Sequence, residues 1–337
     1  MFSSRSSPSR TALMVAFATL YVVWGSTYLG IRVAVETLPP FLMAGARFLV
    51  AGGLLAGWLA ATRGFRTTAP QWRDNAVIGA FLLLGGNGLI SWAELFIPSG
   101  LTALLIGSQP LMMVLTEWIW RGGHRPTKIT WAGLALGFAS VAWLAAPWQY
   151  ATGGGLNLRG VTAILIGCVC WAFGSIYGRR VRQPAEPLTA AAMQMLGGGV
   201  ALMLVALAHG DFVGFAPAAV SAQSWLAFGY LILVGSIVGF STFVWLMKHS
   251  TPARVSTYAY VNPLVAVFLG WLVLGEPVST RTLTAAAVIV VSVAIITARR
   301  SPGAASPDAK PAAPALGKPA AALEIGQATL KIGGSSE

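Results

Sequence analysis

Apolar stretches long enough to cross a bilayer follow one another along the chain, separated by short polar breaks. They run over 13–35, 41–61, 76–97, 99–119, 129–146, 157–178, 188–208, 224–247, 253–274 and 282–298. In a helix, about 20 mostly apolar residues cover the roughly 30 Å of bilayer hydrocarbon. The pattern therefore predicts an all-α integral membrane protein with ten transmembrane helices. The breaks leave no room for a soluble domain, so the chemistry is expected inside the bilayer. Beyond Arg300 the pattern stops. Residues 299–337 are mainly Ala, Pro, Gly and Ser with scattered charge. Such a composition cannot bury enough apolar surface to fold, and a disordered cytoplasmic tail is expected.

The pattern also repeats. Trp24-Gly25-Ser26-Thr27-Tyr28 in the first predicted helix is echoed by Phe173-Gly174-Ser175-Ile176-Tyr177 in the sixth. Ser108-Gln109-Pro110 in the fourth is echoed by Val261-Asn262-Pro263 in the ninth. Arg47-Phe48-Leu49 in the second matches Gln194-Met195-Leu196 in the seventh. A repeat of five helices is odd in number, so its second copy starts from the opposite side of the membrane. The halves are thus predicted to be inverted, a frequent plan among secondary transporters. The expected organisation is a cytoplasmic N-terminus over 1–11, a first repeat over 12–147, a second over 157–298 and the tail over 299–337.

Composition supports a membrane protein: 56% of residues are hydrophobic, 9% are charged and mean hydropathy is +0.71, against about 25% charged in a soluble domain. The net charge of +12 raises the question of nucleic acid, and position answers it. With the N-terminus inside, the inner connections carry Arg63, Arg66, Arg73, Arg121, Arg125, Lys128, Arg179, Arg180, Arg182, Lys248 and Arg254. The outer ones carry only Arg159 and Arg281. This is the positive-inside pattern. It places both termini in the cytoplasm and excludes nucleic acid as a partner. The first apolar run is too long for the core of a cleaved signal peptide and is expected to be a retained helix. Cys168 and Cys170 lie about 200° apart around one helix, where they can neither bridge nor form a metal site.

Polar residues at membrane depth are costly and point to function. Arg47 is the deepest charge. It fits either a cationic anchor in a substrate cavity or a structural pair with a neighbouring acid or helix-end carbonyls. Asn87, Ser91 and Glu94 share one stripe of the third helix, either a polar wall with a proton- or cation-binding carboxylate or an interfacial glutamate reaching water. Gln109 and Asn262 each precede a proline near mid-membrane, where a broken hydrogen-bond ladder lines a cavity or is only a kink. Trp24, Tyr28, Trp171, Tyr177 and Tyr258 offer an aromatic cage suited to amino acids or organic cations, against the interfacial belt that membrane aromatics usually form. Gln194 completes the candidate substrate-binding set as the repeat partner of Arg47. Four GxxxG pairs, Gly53/Gly57, Gly133/Gly137, Gly174/Gly178 and Gly235/Gly239, are expected at close helix contacts. No phosphate-binding loop and no His-Glu-x-x-His motif occurs, and no cofactor or metal is expected.

Taken with the two repeats, Trp24 to Tyr28, Arg47-Phe48, Pro98-Ser99-Gly100, Tyr258 to Pro263 and Leu274-Gly275-Glu276-Pro277 resemble the EamA family of the drug/metabolite transporter superfamily. The similarity spans about 12–298. It implies a ten-helix basket in a bacterial inner membrane, lined chiefly by helices 1, 3, 4, 6, 8 and 9. It implies secondary transport, often export, of amino acids, other metabolites or drugs. The depth of Glu94 adds protons as a candidate coupling ion. One departure stands out. The Gly-Glu that follows the ninth helix has a counterpart after the fourth in many members, and here that place reads Gly122-Gly123-His124-Arg125-Pro126-Thr127, without an acid. Two other functions stay in view: an intramembrane enzyme acting on lipid-linked substrates, and a non-transporting membrane scaffold or sensor.

Overall fold

The computed structural model describes residues 8–120, 127–145, 157–250, 255 and 258–298. The tail over 299–337 and the acid-free segment Gly122–Pro126 lie outside the described residues, as do the first seven. Among the described residues there is no strand. The helices are α1 (Arg10–Ala34), α2 (Pro40–Thr62), α3 (Ala69–Ala93), α4 (Ser99–Ile119, interrupted at Gly107-Ser108), α5 (Lys128–Ala145), α6 (Leu158–Gly178), α7 (Pro187–His209), α8 (Ala222–His249), α9 (Tyr258–Leu274) and α10 (Thr280–Ala298). Seven of them, α1 to α4 and α6 to α8, are long and apolar enough to cross a membrane. Their outward faces carry exposed large apolar residues such as Val22, Leu54, Val169, Leu204 and Leu233, the surface a lipid solvent requires.

Local chemistry sets the helix ends. Ser9 Oγ accepts from the Ala12 amide at 3.1 Å to start α1, and Thr68 with Gln71 forms a capping box at the start of α3. The α2 terminus, opened by Pro40, is capped from a distance: Asp211 Oδ2 accepts from the Phe41 and Leu42 amides at 2.9 and 2.8 Å. A carboxylate at a helix N-terminus meets both orphan amides and the positive end of the dipole.

Glycines decide how closely the central helices pack. A Cβ on Gly79 of α3 would sit 2.2 Å from the Gln194 carbonyl oxygen, and one on Gly198 of α7 would sit 2.6 Å from that of Gly79. The α3–α7 crossing is therefore a backbone contact. Gly45 and Gly52 of α2 meet Leu202, Met203, Met195 and Leu196 of α7 in the same way. The GxxxG expectation divides. Gly174 packs on Phe81 and Leu82, whereas a Cβ on Gly53 or Gly57 would meet nothing within 4 Å. That pair faces away from the bundle.

The two repeats share a feature that hydropathy does not show. Ala80–Gly88 in α3 and Leu231–Phe240 in α8 are both π-helical, with the wider i to i+5 ladder. Runs of this length are rare, and π turns concentrate at functional sites because they re-aim side chains. The paired prolines behave differently. Helix α4 breaks at Gly107-Ser108 and resumes with Pro110 in its first turn, where proline's missing amide is harmless. Pro263 lies inside an uninterrupted α9.

Candidate functional site

A small internal chamber lies among α1, α2, α3, α4, α6 and α9. Its volume is about 50 Å³, and Trp24, Tyr28, Arg47, Asn87, Gln109, Trp171 and Tyr258 line it together with Thr27, Ile31, Gly86, Ile90, Ile106, Gly167 and Cys168. The sequence had singled out the first seven. A chamber of this size holds a few waters and no organic solute.

Arg47 is the chamber's one charged lining residue and is only 2% exposed. Its Nε donates to Ser236 Oγ at 2.7 Å, and its guanidinium donates to Asn87 Oδ1 at 3.3 Å. Both partners are neutral, and both lie in the π-helical stretches. The guanidinium carbon also sits 4.7 Å from the Phe48 ring centroid. No carboxylate pairs with Arg47 among the described residues. Gly235 makes the room: a Cβ there would lie 3.0 Å from the guanidinium. Ser236 was missed from sequence, and Gly235 was singled out only as half of a GxxxG pair. The signal available was their place in the eighth helix at the repeat offset from Asn87's neighbourhood.

The other wall is aromatic. Trp24 contacts Trp171, Phe243 and Tyr258 with ring centroids 5.4, 5.0 and 5.0 Å apart, and Trp171 lies 5.4 Å from Phe243. Beyond Phe243 is a second, larger cavity of about 620 Å³, bordered by Phe243, Gln194, Ser175, Arg179 and Lys248 among others. Phe243, unremarked in the sequence, thus borders the larger cavity and packs against three residues of the chamber wall.

Elsewhere in the bundle, two quoted motifs meet. Helix α9 ends at Leu274, and Gly275 turns the chain with φ +65°, a conformation that favours glycine. This brings the Glu276 carboxylate to the start of α4, where it accepts from the Ser99 amide at 3.0 Å, Ser99 Oγ at 2.9 Å and the Gly100 amide at 3.2 Å. Gly270 clears its path, since a Cβ there would come within 2.3 Å of Glu276 Oε2. Beside this cap Glu94 is fully buried, and neither carboxylate oxygen has a hydrogen-bond partner. Arg32 donates instead to the Glu94 main-chain carbonyl.

Five expected site residues lie off the chamber. Ser91 Oγ donates to the Asn87 carbonyl at 3.0 Å. Glu94 lies beside the Glu276 cap just described. Asn262, oriented so that its amide nitrogen faces acceptors, donates to the Tyr21 and Tyr258 carbonyls at 3.1 and 3.0 Å and ties α9 to α1. Tyr177 donates to Asp74 at 3.5 Å. Gln194 donates to Asn75 Oδ1 at 2.9 Å and borders the larger cavity.

Comparison with known proteins sets this architecture in context. The EamA-like transporter family matches residues 11–146 and again 158–298. The chain belongs to that family. It is 40% identical over 291 residues to the uncharacterized inner membrane transporter YedA of Escherichia coli strain K12, covering 85% of this chain and 90% of that protein. It is 28% identical over 297 residues to the uncharacterized transporter YvbV of Bacillus subtilis, covering 86% and 92%. A solved crystal structure aligns with a TM-score of 0.61 at 22% identity, covering 86% of this chain and 98% of the other. That likeness concerns the fold. The family's two matches fall on the two halves that carry the π-helical stretches, so the chain is a membrane transporter built of two repeats.

Proposed function

We propose that this family member is a secondary transporter that exports small organic solutes, amino acids or related metabolites and drugs, by alternating access through the Arg47 chamber. In this reading ten helices span the inner membrane as two inverted five-helix repeats, residues 12–147 and 157–298, with both termini in the cytoplasm. The basic rims of Arg179 and Lys248 face inward, and Glu276 faces outward. The observation that carries the proposal is Arg47, a buried cation whose hydrogen-bond partners are all neutral. Burying an unpaired charge is strongly unfavourable, and a site that leaves it unpaired is complementary to an anionic group arriving with the solute. Trp24, Tyr28, Trp171 and Tyr258 offer ring faces and edges to the solute's body, and Asn87 and Gln109 its polar contacts.

Alternating access needs two seals that open in turn, and the two candidates are the Glu276 cap and the aromatic cluster around Phe243. Glu94 is the candidate proton carrier. A buried carboxylate without donors is costly, and either a proton or a turn toward Arg32 removes that cost. The test is flux of labelled amino acids through the purified protein in vesicles, with and without a proton gradient. Substrate-dependent flux that the gradient accelerates, and that loses this acceleration in Glu94→Gln, is expected. No flux across a broad metabolite panel would sink the transport reading. Gradient-dependent flux in Glu94→Gln would remove only the role of that residue.

A further inference from the structure

The Arg47 chamber sets a positive charge in a space too small for an organic solute. Its volume is about 50 Å³, and none of its lining residues is an acid. Ser236 Oγ takes the Nε proton of Arg47, and Asn87 Oδ1 takes one from Nη1. The third nitrogen, Nη2, makes no hydrogen bond among the described residues, yet it is not sealed off as the orphan oxygens of Glu94 and Ser175 are. The open space beside it is the chamber that Arg47 lines. Asn87 lines the same chamber; its Oδ1 is spent on Arg47, which leaves its Nδ2 as a donor. An arginine in a protein does not shed its proton, so this site cannot neutralise itself. Neutral partners satisfy N–H groups and leave the charge in place, and a charge held out of water without a counter-charge is strongly unfavourable. What removes that cost is an anion. At this volume the fitting anion is monatomic, with a water or two beside it.

We propose that the Arg47 chamber is a halide site, which holds one chloride against Arg47 Nη2 and Asn87 Nδ2 whenever no solute is bound. Chloride is then the counter-ion of Arg47 in the unloaded protein, and a solute's anionic group has to displace it. The two exclude each other at one guanidinium, so each lowers the apparent affinity for the other by the same factor. Only this displacement rests on the transport reading. The halide site stands on the chamber alone, and it is tested by binding rather than flux so that the two can fail separately.

The experiment follows thermal unfolding of the full-length protein in nanodiscs while sodium chloride replaces sodium gluconate at constant ionic strength. Equilibrium dialysis of radiolabelled chloride runs beside it. A ligand that binds only the folded state raises stability with the logarithm of its concentration above Kd. Wild-type Tm should climb in that way with chloride and with bromide, and dialysis should count one chloride per chain. Gluconate and sulfate are too large for the chamber; sulfate should add only the general salt effect that Arg47→Gln also shows. Arg47→Gln should lose the halide response and the bound chloride. Arg47→Lys, which keeps the charge without the fork, should need about tenfold more chloride. Should Arg47→Gln fail to fold, the anion series on the wild type and Arg47→Lys decides. Three results would each overturn the site: no bound chloride, sulfate acting on the wild type as chloride does, or an unchanged halide response in Arg47→Gln. Chloride bound as expected in a protein without flux would leave the site standing and remove transport, and flux in a protein that binds no chloride would do the reverse.

Discussion

Two tight contacts within the bundle are held by different physics. At one, between α4 and α9, the Glu276 carboxylate holds the Ser99 and Gly100 amides through charge-assisted hydrogen bonds. At the other, Trp24, Trp171, Phe243 and Tyr258 pack ring against ring, with one hydrogen bond between Tyr258 and Trp171 and a roomy cavity beside Phe243. Charge-assisted hydrogen bonds are short and directional. Aromatic contacts tolerate tilt and add about 0.5–1.5 kcal/mol per pair beyond their buried area. In the proposed route the first contact is the stiffer seal and the second the more compliant one. The sequence explains part of this: an acid follows α9, and none stands in the corresponding place after α4.

That contrast can be broken in several ways. The largest effect belongs to Arg47. Arg47→Gln should lower vesicle flux on the order of a hundredfold or more, because a bound anion would then be buried against neutral groups. Arg47→Lys should recover only part, since an ammonium cannot bridge Ser236 and Asn87 as a fork does. Full flux in either would remove the chamber from the transport route.

Next comes the carboxylate seal. Cys168 lines the chamber, so in a Cys170→Ala background it reports access to an impermeant maleimide. Glu276→Ala should raise its labelling from the Glu276 side about tenfold, the loss of cap interactions worth roughly 1–3 kcal/mol. Labelling equal to the parent would mean that the cap is not the seal.

A smaller change is expected at the aromatic cluster. Phe243→Ala should raise Cys168 labelling severalfold from the Lys248 side and leave the Glu276 side unchanged. Increases from both sides would show that the two seals are not separate.

The smallest effects concern packing alone. Gly198→Ala forces a methyl against the Gly79 carbonyl and should cost about 1–3 kcal/mol, as overpacking does, seen as a lower Tm in detergent. Gly53→Ala has open space and should leave Tm unchanged or raise it slightly, by up to about 1 kcal/mol from helix propensity.

The one-dimensional record of apolar runs determined by itself which segments are helical, because a chain in lipid must satisfy its own backbone and a helix does so locally. It also carried the repeat and the residues too polar for their depth, and so Arg47, Asn87, Gln109 and the aromatic lining could be picked out. What the tertiary structure decided was who faces whom. Asn262 and Gln109 precede prolines at matching places, yet Gln109 lines the chamber while Asn262 binds two main-chain carbonyls. Ser236 and Phe243 look like ordinary residues of an apolar helix until the π-helical stretch of α8 turns Ser236 onto Arg47 and packing brings Phe243 against Trp24. Glu276 and Ser99 are 177 residues apart, and only the closing of α9 against α4 makes them a cap. Helix formation is a local property and is written locally; a chamber and its seals are relations between distant residues, and those exist only once the helices have packed.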